Sequence, residues 1–218
     1  MSAATFTVPG TSNPYLAGLP SGATASGDSA PAQSPVQVTG VPITAGTILN
    51  FLATGSVNFI SSPSGDTPDG GSLLVSRGAE NGIAGYNDPA NSLVGVFLDN
   101  SLPTDSAAPA ALNFDTPASR AYSTLSPLLK QIFFIGDGLT GTGTGTQQSV
   151  VVPFGATRLF LGTVDGSGWS NNFGQFTVEV NAAASTSVPE PFTIVGTLVG
   201  SAAAFRMRKK VKATTNKL

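Results

Sequence analysis

The sequence has no cysteine and no histidine among its 218 residues. Without cysteine it has no disulfides, and without cysteine and histidine it lacks the usual zinc ligands and the usual general base. Any metal site must therefore use hard oxygen ligands, which are the ligands that calcium prefers.

Charged residues are also scarce, at 10% of the chain, and they are unevenly distributed. Six of the ten basic residues lie beyond residue 205, so residues 1 to 205 carry four positive and twelve negative charges, a balance of −8. An acidic body repels phosphate backbones, so we expect no nucleic-acid partner and favour a divalent cation.

A secretory signal is missing at the N-terminus, where residues 1 to 9 have neither a basic start nor an apolar run of about seven residues or more. We expect the sequence to begin near a cleavage point, with Ser2, Ala3 and Ala4 as the small-residue remnant. The alternative is a cytoplasmic protein.

The C-terminal segment has a different composition from the rest of the chain. An uncharged stretch, residues 192 to 205, is preceded by Val188, Pro189, Glu190 and Pro191 and followed by Arg206, Arg208, Lys209 and Lys210. This order resembles the PEP-CTERM sorting signal, which exosortases recognise in exported proteins of bacteria that make extracellular polysaccharide. The resemblance implies an exosortase-type processing enzyme as a partner, export, and a final location at the cell surface or outside the cell.

The apolar stretch is short for a membrane span. Fourteen helical residues cover about 21 Å, whereas the hydrocarbon core of a bilayer is about 30 Å thick. We therefore expect a processed tag whose helix contacts the membrane transiently. The other interpretation is a buried helix with a solvated basic end.

The remaining sequence predicts an all-β fold, an antiparallel β-sandwich or jelly roll, because short apolar runs alternate with turn residues and helical periodicity is nearly absent. Alternation predicts half-buried strands, and runs that are apolar on both faces predict central strands. The half-buried strands are expected at residues 47–59, 157–162 and 175–180, and the central ones at 93–98 and 131–135.

We expect four segments along the chain. They are an extended arm at residues 1–35, partly ordered by packing and with one strand at 5–8; a sandwich at 36–181; a linker at 182–187; and the sorting signal at 188–218, with a short hydrophobic helix at 192–205 and a basic tail at 206–218.

Two loops between these strands draw attention for different reasons. The Gly-Thr repeat of residues 140–146 predicts a flexible hairpin, since it lacks the helix and lysine of a phosphate-binding loop. The loop from Asp165 to Gly174 can turn the oxygens of Asp165, Asn171 and Asn172 inward, as calcium requires. The same residue types also serve tight loops that hydrogen-bond their own backbone.

Residues 152–165, followed by 171–178, resemble the end of the LecA-type calcium-dependent galactose lectins, and the resemblance extends over roughly residues 36–181. It implies a galactose-binding, lectin-like sandwich. By this resemblance the side chains of Asp165, Asn171 and Asn172, with main-chain carbonyls near Trp169 and Phe59, hold one Ca²⁺ on which the sugar hydroxyls sit.

The sugar-binding set implied by the resemblance is Asp165, Asn171, Asn172, Trp169 and Asp69. For Trp169 two roles remain open: the indole stacks on a sugar ring, or it plugs the edge of the sandwich. The sequence departs from the family in two respects. The interval from Asp165 to the asparagine pair is one residue shorter, and Thr67 and Gly70 stand where the lectins have a histidine and a glutamine.

Three classes of function follow. The first is a non-enzymatic, surface-sorted module that binds extracellular polysaccharide with calcium. The second is a structural matrix protein whose calcium site, if it has one, only stabilises a loop. The third is a glycosidase, which needs two carboxylates facing across a cleft, and among Asp66, Asp69, Asp137 and Asp165 no pair stands in a recognisable setting.

The sorting hypothesis makes a direct prediction about processing. Protein released from the surface of its native host should end near Pro189, Glu190 and Pro191, because two prolines keep this stretch extended and accessible. Intact-mass analysis measures the new terminus, and replacement of the four basic residues at 206, 208, 209 and 210 by serine should cause mis-sorting without unfolding. A released species that ends at Leu218 would contradict the hypothesis.

Overall fold

The computed structural model describes residues 2–59 and 65–183 of the chain. The predicted sorting residues, the apolar helix at 192–205 and the basic tail lie outside the described residues. No helix in the described ranges is long and apolar enough to cross a bilayer.

The described residues form fifteen β-strands and very little helix. In chain order the strands are β1 (Ser2–Pro9), β2 (Thr24–Ala25), β3 (Asp28–Ser29), β4 (Val36–Gln37), β5 (Ile48–Asn58), β6 (Leu74–Arg77), β7 (Tyr86–Pro89), β8 (Leu93–Leu98), β9 (Thr124–Leu125), β10 (Ile132–Phe134), β11 (Leu139–Gly141), β12 (Thr144–Gln147), β13 (Ser149–Val151), β14 (Arg158–Thr163) and β15 (Phe173–Ala183). The helical elements are α1 (Pro117–Arg120) and three 3₁₀ turns at Pro14–Leu16, Pro103–Asp105 and Trp169–Asn171. The expectation of an all-β fold is confirmed.

Two sheets make up the body of the molecule. One has five strands in the order β1-β15-β5-β13-β9, and the other has four in the order β10-β8-β14-β4. Phe51 and Phe176 from the first sheet share one buried cluster with Phe97, Phe133 and Leu161 from the second, so the sheets pack face to face as a sandwich.

The strands predicted from alternation match the structure closely in β5 and β15. In β15 the buried residues Phe176 and Val178 alternate with the exposed Gln175 and Thr177. The predicted hairpin at residues 140–146 is also present, as β11 and β12. The predicted central strand at 93–98 has the same bounds as β8, and all six of its residues are buried.

Two expectations about the strands are wrong. The sandwich is not wholly antiparallel, since β13 pairs parallel to β9; the chain crosses to the other sheet as β10 and returns by the β11–β12 hairpin, which brings β13 in along the direction of β9. In addition, β14 does not alternate: Leu159 to Thr163 are all buried.

The reason for the burial of β14 is the segment that follows β1. Tyr15 and Leu16 lie in a second buried cluster with Val96 and Phe160, on the face of the four-stranded sheet that points away from the sandwich core. The N-terminal residues therefore contribute twice: β1 forms an edge strand along β15, and the residues after it cover the second face of the other sheet.

Asp88, in β7, is completely buried, and neither of its carboxyl oxygens receives a hydrogen bond within the described part of the chain. Burial raises the pKa of Asp88 to about 8, although the nearby charge of Arg120 opposes this shift. The fold therefore favours the neutral acid at physiological pH.

This carboxyl predicts a pH dependence of stability. Because the pKa of Asp88 is raised in the folded protein, the protonated acid contributes to the free energy of unfolding. This contribution is fully present below about pH 4, the ordinary range of the acid. It is lost as pH rises toward about 8, by at most about 1.4 kcal/mol per pH unit. The free energy of unfolding, measured with urea and chelator at pH 4.5 and 7.5, should therefore fall less between these two pH values for Asp88→Asn than for the wild type. Asp115→Asn serves as the matched control and should keep the wild-type profile; parallel profiles for Asp88→Asn and the wild type would refute the assignment.

Candidate functional site

The candidate site lies at the end of the sandwich where β14 stops and β15 begins. Strand pairing continues one step past β14, since Val164 donates to Ser92 O at 3.0 Å and Asn91 donates to Val164 O at 2.8 Å. Asp165 follows at once, and a short loop leads through Gly168, which has a positive φ of 70°, into the turn Trp169–Asn171. The body thus holds both ends of the loop in fixed strands.

Of the three residues predicted to bind calcium through their side chains, Asp165 and Asn172 are buried, with 7% and 6% of their surface exposed. Asp165 Oδ1 accepts a hydrogen bond from Gly166 N at 2.5 Å, and Asn172 Nδ2 donates to Gly10 O at 3.1 Å. Asp165 Oδ2 and Asn172 Oδ1 are buried, and no hydrogen bond of good geometry reaches either one. Each of the two side chains therefore keeps one buried oxygen without a hydrogen bond of good geometry.

The electrostatic setting of Asp165 explains why a positive partner would be favourable there. Burial raises the pKa of Asp165, and the negative charge of Asp28 adds to this effect. The Asn172 amide lies close enough to lower that pKa, together with the backbone N–H groups of Gly166 and Ser167, but it does not reverse the shift. A carboxylate at this position is short of positive charge.

The three other predicted ligands have different surroundings. Asn171 is exposed at the rim of the loop. Phe59 directly follows Asn58, and Asn58 pairs with Phe173, the residue after Asn172. The carbonyl of Trp169 accepts from Asn172 N at 3.0 Å, so it lies next to the backbone of Asn172.

The stacking role considered for Trp169 is wrong, because its indole is fully buried and offers no face to a ligand. Its Nε1 donates to Thr163 O at 2.8 Å, and its ring meets the ring of Tyr15 edge-on, with centroids 6.4 Å apart. The other role, in which the tryptophan plugs the edge of the sandwich, describes what the structure shows.

Asp69 belongs to a different part of the surface. It lines a half-open pocket of about 230 Å³ with Arg120, Phe134 and Thr142, and neither Asp165 nor the two asparagines line this pocket. Asp69 Oδ1 accepts from Asp137 N at 3.2 Å. The structure therefore does not bring the Asp69 side chain together with the Asp165 pair.

Asp66 is connected to the site indirectly. Its Oδ2 accepts from Asn91 Nδ2 at 2.7 Å, and the backbone of Asn91 is bonded to Val164, next to Asp165. Asn91 is completely buried, and its Oδ1 receives no hydrogen bond from the described residues. Asn91 Oδ1 is thus a third buried oxygen without a hydrogen bond near this end of the sandwich.

Sequence reasoning missed Asp28, which positions the turn of the site. Its carboxylate is buried and accepts from Trp169 N at 2.9 Å, from Ser170 N at 3.0 Å and from Asn13 Nδ2 at 3.1 Å. The residue stands in a segment rich in Ser, Gly and Ala, where an aspartate looks like an ordinary turn residue. No signal in the sequence distinguishes it.

Arg77 was also missed, and it fixes the opposite side of the loop. Its guanidinium lies 5.4 Å from the ring centre of Tyr15 and 5.8 Å from that of Trp169, pairs with Glu80 at 3.1 Å, and donates to the carbonyl of Gly166. Tyr86 donates its hydroxyl to the carbonyl of Asp165. These contacts hold the first residues of the loop in place.

In the described ranges no group of three or more acidic, histidine or cysteine side chains gathers in one place. The donor set at Asp165 is instead one carboxylate with amide and main-chain oxygens. Such a mixed oxygen set fits calcium, which accepts carboxylate, amide and carbonyl ligands in flexible geometry.

Comparisons with known proteins add little to this site. No protein-family model matches the chain, and no curated protein matches it. A solved structure described as "EclA N-terminal domain; PllA-like lectin" is similar, with 18% sequence identity and a TM-score of 0.39, over 82% of this chain and 95% of that one. At such values the function has to be argued from the residues of the site.

The contacts of Asp28 predict its contribution to stability. Asp28→Ala should lower the free energy of unfolding by about 1 to 3 kcal/mol, because the buried N–H of Trp169 loses its acceptor. The emission of Trp169, the single tryptophan of the chain, should also move to longer wavelength as the turn loosens. Asp105→Ala is the control: Asp105 is exposed and accepts from the backbone N–H of Leu102, so its loss should cost no more than about 1 kcal/mol. Equal effects of the two substitutions would contradict the role given to Asp28.

Proposed function

We propose that this chain is an exported, non-enzymatic carbohydrate-binding protein with a calcium site at Asp165. The observation that carries the proposal is the pair of buried oxygens, Asp165 Oδ2 and Asn172 Oδ1, that receive no hydrogen bond. Leaving a buried acceptor without a partner costs about 1 to 3 kcal/mol, and more when the group is charged. A cation bound between these oxygens would remove that cost.

The residues that would hold the ion are Asp165 and Asn172 from inside, with the carbonyls of Trp169 and Phe59 beside them. Asn171, at the exposed rim, would add its side-chain oxygen from the solvent side. Calcium accepts six to eight oxygen ligands, so a set of this size leaves coordination positions for other oxygens. When bound, the ion supplies a positive centre on which neighbouring sugar hydroxyls can be held.

The sugar-binding set is narrower than the sequence suggested. Asp165, Asn171 and Asn172 remain as candidates because they surround the proposed ion. Trp169 contributes its carbonyl and not its ring, and Asp69 lines another pocket. Without an aromatic platform the binding would depend on the ion and on hydrogen bonds from the loop, so we expect weak affinity for single sugars and a gain from multivalent polysaccharide.

The C-terminal signal supports the cellular part of the proposal. A processing enzyme of the exosortase type would recognise the stretch from Val188 to Pro191, with the basic cluster holding the segment at the membrane. Such a route leads to the cell surface or the medium, where calcium and extracellular polysaccharide meet the protein. This part rests on the sequence alone.

The proposal is tested by thermal melts of the full chain with calcium and with chelator. Calcium at 100 times its dissociation constant should stabilise the fold by about 2.7 kcal/mol, equivalent to about 5 to 11 °C in Tm. Asp165→Asn should abolish the shift, because it removes the one formal charge among the ligands, and Asn171→Ala should reduce it. Asp99→Asn removes the same charge next to the far end of β8 and should keep the full shift.

Calorimetric titration with galactose-containing polysaccharide, with calcium and with chelator, then separates the two binding classes. Calcium-dependent heat that Asp165→Asn loses supports the carbohydrate-binding function. A calcium shift in Tm with no polysaccharide binding would favour the structural matrix protein, whose ion only stabilises the loop. Identical melts with calcium and with chelator would remove the site altogether.

A further inference from the structure

The end of the sandwich opposite the candidate site is the place where β15 finishes. Ala183 pairs there with Ile48, which also pairs with Val151 at the end of β13. Leu98 pairs with Arg158 at the start of β14, and Lys130 donates to Phe97 O at 2.8 Å. The loops at residues 99–108, 126–131 and 152–157 are therefore together at this end. We call these three loops and Ile48, the first residue of β5, the exit end.

Four of the eight exposed large apolar side chains in the described ranges lie at the exit end. Phe154 is 93% exposed, Leu128 60%, Leu102 43% and Ile48 38%. At the opposite end, beside the candidate site, Phe173 is an exposed large apolar side chain, with 54% of its surface exposed. Leaving a phenylalanine in water forfeits about 1.5 to 3 kcal/mol of burial, so contact with an apolar phase would recover that energy.

Phe154 is held outward by a tight turn. Ala156 donates to Pro153 O at 3.2 Å, and Gly155 has a φ of 84°, which favours glycine at that position. A Cβ placed on Gly155 would lie 3.4 Å from Leu129 Cδ1, so the turn packs beside the loop that presents Leu128. The two most exposed apolar side chains at this end are thus carried by neighbouring, structured loops.

The length of chain that follows β15 bears on what these side chains can contact. From Ala183 the sequence continues through eight residues to the uncharged segment that starts at Phe192. Eight extended residues reach at most about 30 Å, whereas β15, with eleven residues, is about 37 Å long. An apolar segment seated in a bilayer would therefore tether the exit end within about 30 Å of the lipid.

We propose that Phe154 and Leu128 insert into the lipid interface while the C-terminal segment is in the membrane. The inference rests on the proposed sorting role of that segment. Insertion would be driven by apolar area, because the amine of Lys130 at this end is bound to Ser106 O at 2.9 Å and to Ala107 O at 2.7 Å, while Asp99 and Asp105 are acidic. Zwitterionic lipid is therefore sufficient, and the orientation directs the Asp165 loop away from the membrane.

The test uses the full chain with zwitterionic phosphatidylcholine vesicles whose acyl chains are brominated near the headgroup. Phe154→Trp places a fluorophore at the exit end, and Phe173→Trp, at the start of β15, is the matched control. Trp169 is fully buried and gives the same background in both proteins. Flotation with the vesicles measures whether each protein is bound at all.

The expected result is that Phe154→Trp floats with the vesicles, shifts its emission to shorter wavelength and is quenched by the brominated lipid. Phe173→Trp should float equally and stay unquenched. Flotation of Phe154→Trp without quenching, or equal quenching of both variants, would overturn the lipid contact but leave the sorting role intact. No flotation of either protein would overturn both. A blue shift of Phe154→Trp that grows with protein concentration in the absence of vesicles would assign the exit end to a second copy of the chain and overturn the inference.

Discussion

The pairing of β15 along its whole length is the constraint on which the other features depend. All eleven of its residues pair with β5, and eight of them also pair with β1 on the other side. A strand held on both edges cannot slip by one residue without turning Phe176, Val178 and Val180 out of the core. Since β15 begins directly after Asn172 and ends at Ala183, this register also decides which end of the sandwich carries the candidate site and from which end the chain continues.

Sequence patterns were sufficient to predict the burial of a strand where the residues of that strand alone determine it. The alternation in β5 and β15 and the continuous apolar run in β8 depend on the two faces of those strands alone. The burial of β14 depends instead on Tyr15 and Leu16, which are separated from it by more than a hundred residues. Those two residues stand in a stretch of small and polar residues, so their pattern does not indicate that they cover a sheet.

The candidate site was predictable in part for the same reason. Spacing and resemblance identified Asp165 and Asn172, and the structure places both, buried, at the same end of the sandwich. The direction of a side chain cannot be predicted from its neighbours in sequence, and Asp69 and Trp169 illustrate this: one lines another pocket and the other fills the interior. Asp28 and Arg77 support the loop through contacts between distant segments, which leave no periodic trace in the sequence.

Asp88 and Asp165 show why a buried carboxyl does not by itself predict a metal site. Burial raises the pKa of both, and each has at least one oxygen without a hydrogen bond. Asp88 is completely enclosed, and burial outweighs the opposing charge of Arg120, so a proton is the natural partner for it. Asp165 differs because the Asn172 side chain, whose Oδ1 also lacks a hydrogen bond of good geometry, lies close to it, and because the exposed residue Asn171 adjoins it. In the proposed site a proton and the ion would compete for the Asp165 carboxyl. If the proposed ion binds there, the raised pKa of Asp165 would make its binding depend on pH, since protonation in acid removes the charge that the ion needs.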